Sequence, residues 1–194
     1  MGAPAIASTR GRYAKQNRLT RVQGPGGVDV SYQYDSLGRM LTRVSGGVTT
    51  RFTWDGWNCV KEDDGTNVFR WYCPEGELHS FERNSTFYQV HSDALGSVRA
   101  ITDSSGAVVG SYSYGAWGET TSATHPSGFT MPYLFVGARG VRFDPATGLH
   151  YMRNRWYDAG LGRFLSRDPG YPDTNLYLYG KNSPVEFSDP HGLS

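Results

Sequence analysis

Cysteine is almost absent from this chain: Cys59 and Cys73 are the only two. Two thiols are too few for a disulfide framework or a zinc site. Charge of one sign is missing too. Lys and Arg number 19 against 18 Asp and Glu, well interspersed, for a net charge of +1. No basic field exists to hold a phosphate backbone, so nucleic acid is not an expected partner. No run of about 18 apolar residues could span a bilayer. The opening residues Met1 to Ser8 lack the charged start and apolar stretch of a secretory leader, so export would have to be directed by something outside this sequence. The five histidines, His79, His91, His125, His150 and His191, never fall two or four residues apart, which leaves a metal site without local support. There is no phosphate loop ending in Lys-Ser/Thr and no Gly-x-Ser-x-Gly elbow. Nucleotide hydrolysis and esterase chemistry are disfavoured, and neither a metal nor a cofactor is expected.

What is plentiful is glycine, at 25, and tyrosine, at 13 in 194 residues. That balance favours strands punctuated by turns, hence an all-β fold of about one domain's length. Comparing the chain with itself exposes a repeat. Leu19-Thr20-Arg21-Val22 returns as Leu41-Thr42-Arg43-Val44, and Tyr32-Gln33-Tyr34-Asp35 returns as Phe52-Thr53-Trp54-Asp55, a period of about 20 to 22 residues. Asp93-Ala94-Leu95-Gly96 is echoed by Gly115-Ala116-Trp117-Gly118, which follows Tyr112-Ser113-Tyr114. Residues two apart in a strand share a face, so each aromatic pair lays two rings on one side. The Asp-x-x-Gly that follows suits a turn in which Asp caps and Gly supplies a positive φ. Further turns are marked at Asp64-Gly65, Ser105-Gly106 and Thr147-Gly148. The expectation is a curved antiparallel sheet of about a dozen short strands, with few and short helices.

Residues 1–16 precede the repeats, 17–130 form the repeat sheet, and 131–194 form a denser closing block beginning at Tyr133-Leu134-Phe135-Val136-Gly137. Thr120 to Pro132, rich in Ser, Thr, Pro and Gly, reads as a mobile loop. A tight two-residue hairpin at Asp64-Gly65 would set Cys59 opposite Arg70 and Cys73 opposite Gly56. That separation favours two reduced, partly buried thiols over a disulfide.

Tyr34-Asp35-Ser36-Leu37-Gly38-Arg39 resembles the YD repeat of Rhs proteins. Phe143 to Asp158, then Gly162-Arg163-Phe164-Leu165-Ser166-Arg167-Asp168-Pro169, then Asn175-Leu176-Tyr177-Leu178-Tyr179 and Asn182-Ser183-Pro184 resemble the Rhs-associated core, in order and colinear. The resemblance covers nearly the whole chain from about residue 17. It implies a β-shell around a C-terminal toxin, plugged at one end by the core block, as in bacterial contact-dependent and type VI secreted toxins, the cocoon of insecticidal toxin complexes and the shell of teneurins. It also implies a bacterial cytoplasmic origin before delivery, and a polypeptide cargo or the rest of a shell as partner. In this family the plug is an intramolecular aspartyl protease that cuts after the Leu of Asp-Pro-x-Gly-Leu. By motif position the two aspartates correspond to Asp168 and Asp189, with Arg167 matching a basic residue associated with the site in some members. Pro190, Gly192 and Leu193 complete the motif, and the bond expected to be cut is Leu193-Ser194.

Such chemistry needs two carboxyl groups close enough to share a proton. Asp168 and Asp189 lie 21 residues apart, so the fold must return the tail to the Arg167 segment. On spacing alone both would read as turn caps, like Asp144 and Asp158; the resemblance is what assigns them chemistry. A single serine follows the expected cut, which reads as a truncated piece, an uncut form or an orphan core that has lost its toxin. About a dozen strands span an arc of only ~55 Å, too short to close a cavity around a folded toxin. The competing reading is a non-catalytic module that binds a glycan or a protein, or assembles with itself through open sheet edges. It requires exposed aromatic rows and separated aspartates; Trp57, Trp71, Trp117 and Trp156 are the rings whose exposure decides it.

Overall fold

The computed structural model describes residues 10–14, 18–169 and 175–193. Twelve strands pair in sequence order as one antiparallel sheet: β1 (Arg10–Tyr13), β2 (Leu19–Gly24), β3 (Val28–Tyr34), β4 (Met40–Ser45), β5 (Val48–Asp55), β6 (Asn58–Asp63), β7 (Val68–Tyr72), β8 (Ser80–Arg83), β9 (Thr86–Ser92), β10 (Val98–Asp103), β11 (Val108–Tyr114) and β12 (Thr120–Thr124). A second sheet holds β13 (Arg142–Asp144), β14 (Leu149–Met152), β15 (Arg155–Asp158) and β16 (Arg163–Phe164). Helical structure among the described residues is limited to three-residue 3-10 turns. The fold is therefore all-β, and the large sheet stays open, with β1 at one end and β12 at the other.

The repeat has a physical unit. Tyr32, Phe52 and Tyr112 point inward and are buried. The second aromatic of each pair latches the neighbouring strand: Tyr34 Oη donates to the Leu19 carbonyl at 2.6 Å, Trp54 Nε1 to Met40 at 2.7 Å and Tyr114 Oη to Val98 at 2.6 Å. Each ring thus buries its body and satisfies its polar tip with a backbone acceptor. The turns are built as their residues require. Asp35 Oδ1 accepts the amides of Leu37 and Arg39, and Asp93 Oδ1 those of Leu95 and Ser97. Gly38 and Gly96 take φ of +97° and +85°.

Three details differ from the sequence pattern. Leu41 is 41% exposed, and it is Met40 that occupies the buried place of Leu19. Side chains alternate with a period of two, so a one-residue offset between identical Leu-Thr-Arg-Val strings moves the leucine to the other face. The Asp64-Gly65 connection is a four-residue loop, not a two-residue turn: Lys61 pairs with Arg70 and Asp63 with Val68. Asp64 Oδ1 accepts the amides of both Thr66 and Asn67 and so holds the longer loop. Cys59, buried, and Cys73, half-buried, are both free, and burial pushes the Cys59 thiol well above its ordinary pKa. Finally, Thr120–Thr124, read as part of a mobile loop, is strand β12, paired with β11 from Ser111↔Thr124 to Tyr114↔Thr120. All five residues are exposed, so this edge strand shows none of the apolar alternation that marks a strand with one buried face. The residues after it turn inward, with Phe129 and Met131 packed in the core.

One hydrophobic cluster joins the two sheets, running from Leu19, Val30 and Phe52 through Trp71, Phe81 and Ile101 to Leu149, Tyr151 and Trp156. The repeat turns hand their backbone to the closing block: Tyr151 Oη donates to the Gly38 carbonyl, the Ala138 amide to Gly96 and Tyr157 Oη to Trp117. Two buried ion pairs cross the same boundary. Arg43 grips Asp144 with two bonds of 2.7 Å, and Tyr32 Oη adds a third. Arg142 meets Glu62 at 3.0 Å. Burial alone would raise the Asp144 pKa, but Arg43, with Arg142 and Tyr32, more than offsets it and holds the carboxyl below its ordinary range. Trp71 and Trp156 are buried and Trp117 is half-buried; of the four rings named above, only Trp57 is exposed, at 40%.

Candidate functional site

Strands β14 and β15 are joined by a two-residue turn, Arg153-Asn154, with Met152 paired to Arg155 and Arg153 at φ +55°. Arg155, the first residue of β15, is only 1% exposed. A buried guanidinium is tolerated only if its charge and its donors are met. Its Nη2 lies 2.8 Å from Asp168 Oδ2 and 3.1 Å from Asp189 Oδ2. Its Nε donates to the Gly192 carbonyl at 2.7 Å, its Nη1 to the Leu176 carbonyl at 3.4 Å, and its Cζ lies over the Phe164 ring, 3.6 Å from the centroid. Burial pulls the Arg155 pKa below its ordinary value while the two carboxylates pull it back.

The tail reaches this cation because of its own sequence. The Gly192 amide donates to the Asp189 carbonyl at 3.3 Å, closing a turn after Asp189-Pro190. Gly192 has φ +64°, and a Cβ there would stand 2.7 Å from the Met152 carbonyl oxygen and 3.0 Å from the Arg155 nitrogen. Only glycine lets the tail lie this close to the hairpin. Asp189 Oδ1 then accepts the Leu193 amide at 3.0 Å. The hairpin tip holds the remaining backbone: the Asn154 amide and Nδ2 both donate to the His191 carbonyl, at 3.3 and 3.0 Å. Arg153 Nη1 lies 2.6 Å from His191 Nδ1 and 2.8 Å from Nε2. Burial and then Arg153 lower the His191 pKa, with Asp189 opposing them. From the other side, the Asp168 amide donates to the Leu176 carbonyl at 2.9 Å, fixing the segment that carries the first aspartate.

Two carboxylates 21 residues apart therefore flank one guanidinium nitrogen, and one of them also holds the amide of Leu193. Among the described residues no group of three His, Cys, Asp or Glu side chains is placed to hold a metal ion. The family model of the teneurin YD-shell matches residues 7–185. The chain belongs to the teneurin YD-shell family. Within it, this YD-shell chain is 36% identical over 173 residues to the tRNA3(Ser)-specific nuclease WapA of Bacillus spizizenii, a match covering 84% of this chain and 7% of that protein. It is 30% identical over 228 residues to the double-stranded DNA deaminase toxin A of Burkholderia cenocepacia, covering 98% of this chain and 16% of that protein. Its fold is similar to that of the TcdB2-TccC3-Cdc42 crystal structure, with a TM-score of 0.76 at 23% identity over 97% of this chain and 10% of that one. The YD-shell chain thus spans a small fraction of the relatives it matches.

Of the residues singled out from the YD-shell motifs, Asp168 and Asp189 come together, Gly192 is buried beneath Arg155, Pro190 is half-buried and the Leu193 side chain is exposed. Arg167 is exposed, and the cation between the carboxylates is Arg155. Ser194, and with it the far side of the Leu193-Ser194 bond, lies outside the described residues. Arg153, Asn154 and Arg155 fall within the Phe143-to-Asp158 stretch of the core resemblance, which assigns them no role. Arg155 lies in Arg155-Trp156-Tyr157-Asp158, a strand the fold buries at all four positions, where a charge must have a partner.

Proposed function

We propose that this YD-shell chain is the C-terminal part of an Rhs-type toxin-encapsulating shell, and that Asp168 and Asp189 form an intramolecular aspartyl protease site directed at the Leu193-Ser194 bond. The observation that carries this reading is the convergence of both aspartates on Arg155 Nη2, with Asp189 also bonded to the amide of the residue that precedes the cut. In the reaction, water adds to the Leu193 carbonyl carbon and the C–N bond to Ser194 breaks. One carboxylate accepts the proton of the attacking water and the other carboxyl group protonates the leaving amine, so that Leu193 keeps a new carboxyl group.

The partner under this reading is a polypeptide cargo. Two relatives are named as a tRNA nuclease and a DNA deaminase toxin, which supports a toxin as that cargo. The alternative, an orphan core that binds a glycan or a protein without catalysis, requires outward aromatic rows and separated aspartates. Instead the first ring of each pair is buried, the second is packed against the same core, and the aspartates share a cation. The test is to extend the chain beyond Ser194 with a folded tag and follow its release by mass spectrometry. A fragment beginning at Ser194 is expected, with Asp168→Asn and Asp189→Asn each slowing its appearance by at least about a hundredfold. No release from the parent, or undiminished release from both variants, overturns the proposal.

A further inference from the structure

The hairpin tip that carries Arg155 does more than neutralise two carboxylates. Three consecutive residues each hold a different part of the tail: Arg153 the His191 ring, Asn154 the His191 carbonyl through both its amide and its side chain, and Arg155 the Gly192 carbonyl and the Asp189 carboxylate. A segment outside the strands stays in one place only where specific bonds hold it, and a scissile bond must sit within about half an ångström of its productive position to react well. These bonds tie down the residues immediately before the bond, and most of them come from a hairpin rather than from the aspartates. The Arg153 contact is also the one clamp contact made to a side chain at the variable position of Asp-Pro-x-Gly-Leu.

We propose that Arg153, Asn154 and Arg155 form a substrate clamp that docks Asp189–Leu193 and reads the side chain at position 191. The clamp rests on the self-cleavage reading for its purpose, but docking can be measured without cleavage. Arg153 is a cation set against His191, so the clamp favours a neutral or acidic side chain there and rejects a basic one. Asn154 is a positioning residue at the turn, where truncation removes one hydrogen bond and leaves the strands paired.

The experiment measures two quantities for each variant: hydrogen exchange at the Gly192 and Leu193 amides in this chain, and tag release from the chain extended beyond Ser194. Asn154→Ala is expected to speed exchange and slow release by a similar factor, about three- to tenfold for one hydrogen bond. His191→Lys and Arg153→Glu are each expected to change both quantities by about tenfold or more. Combined in one molecule they set a cation at 191 against a carboxylate at 153, and both quantities are expected to return to within about threefold of the parent. A merely structural arginine would not be rescued by a basic residue at position 191. Unchanged exchange in the single variants, or a double variant no better than the worse single one, overturns the clamp. If exchange responds and is rescued while the parent releases nothing, the clamp stands and the self-cleavage reading alone falls.

Discussion

His150 sits among rings, with centroids 5.1 Å from Phe143, 5.9 Å from Phe135 and 6.0 Å from Tyr157, and neither of its nitrogens has a partner among the described residues. Burial holds its pKa down at about 4, against an unfolded value of about 6.5. Between these values the unfolded chain binds a proton that the folded chain refuses. Stability from this residue is therefore complete above pH about 6.5, falls as the pH drops towards 4 and levels off below, by at most roughly 3 kcal/mol. Thermal melts should show a lower Tm at pH 5 than at pH 7.5, and His150→Leu should remove most of that difference; a variant that keeps the full drop would clear His150 as its source. Arg155→Met leaves two carboxylates beside a charge that is gone and should cost about 3–5 kcal/mol in urea unfolding. Arg167→Ala, at an exposed position, should change stability by no more than about 0.5 kcal/mol. Equal losses for the two would contradict the placement of the site. That Asp168 and Asp189 approach each other was foreseeable only from the resemblance, since on spacing alone both read as turn caps. Arg155 was not, because burial of a charge depends on what the fold brings to it from residues 168, 176, 189 and 192.

At the scale of strands and turns, the latches define the repeat better than the strings of identical residues do. Tyr34→Phe and Tyr114→Phe each remove one donor to a backbone carbonyl, worth about 1 kcal/mol. Tyr34 Oη also accepts Trp156 Nε1 at 3.0 Å, so Tyr34→Phe should be the more damaging of the two when both are titrated in urea. A larger loss for Tyr114→Phe would count against this ordering. Aromatic pairs and Asp-x-x-Gly turns were legible in the sequence because each residue type performs its local task wherever it stands. Three features were not. The phase of Leu41 depends on a one-residue offset that leaves the local string unchanged. The Asp64 loop is chosen by two side-chain bonds over a shorter turn of equal composition. Strand β12 is exposed on both faces, so the periodicity that reveals strands is absent from it.

For the whole molecule, the shared core and the pairs Arg43–Asp144 and Arg142–Glu62 bind the closing sheet to the repeat sheet. Unfolding should accordingly be a single cooperative transition, the same by tryptophan fluorescence and by circular dichroism. Asp144→Asn should lower its midpoint by an amount equivalent to about 3–5 kcal/mol without splitting it; two separated transitions would mean that the closing block stands alone. Under the proposed self-cleavage, the same integration makes the tail an internal substrate of its own chain. The most direct measurement is the rate at which the chain extended beyond Ser194 releases its tag, followed by mass spectrometry across a hundredfold dilution series. Cleavage of a docked tail by Asp168 and Asp189 of its own chain predicts first-order release with one rate constant at every concentration. A rate that scales with protein concentration, or no release at any, would contradict it.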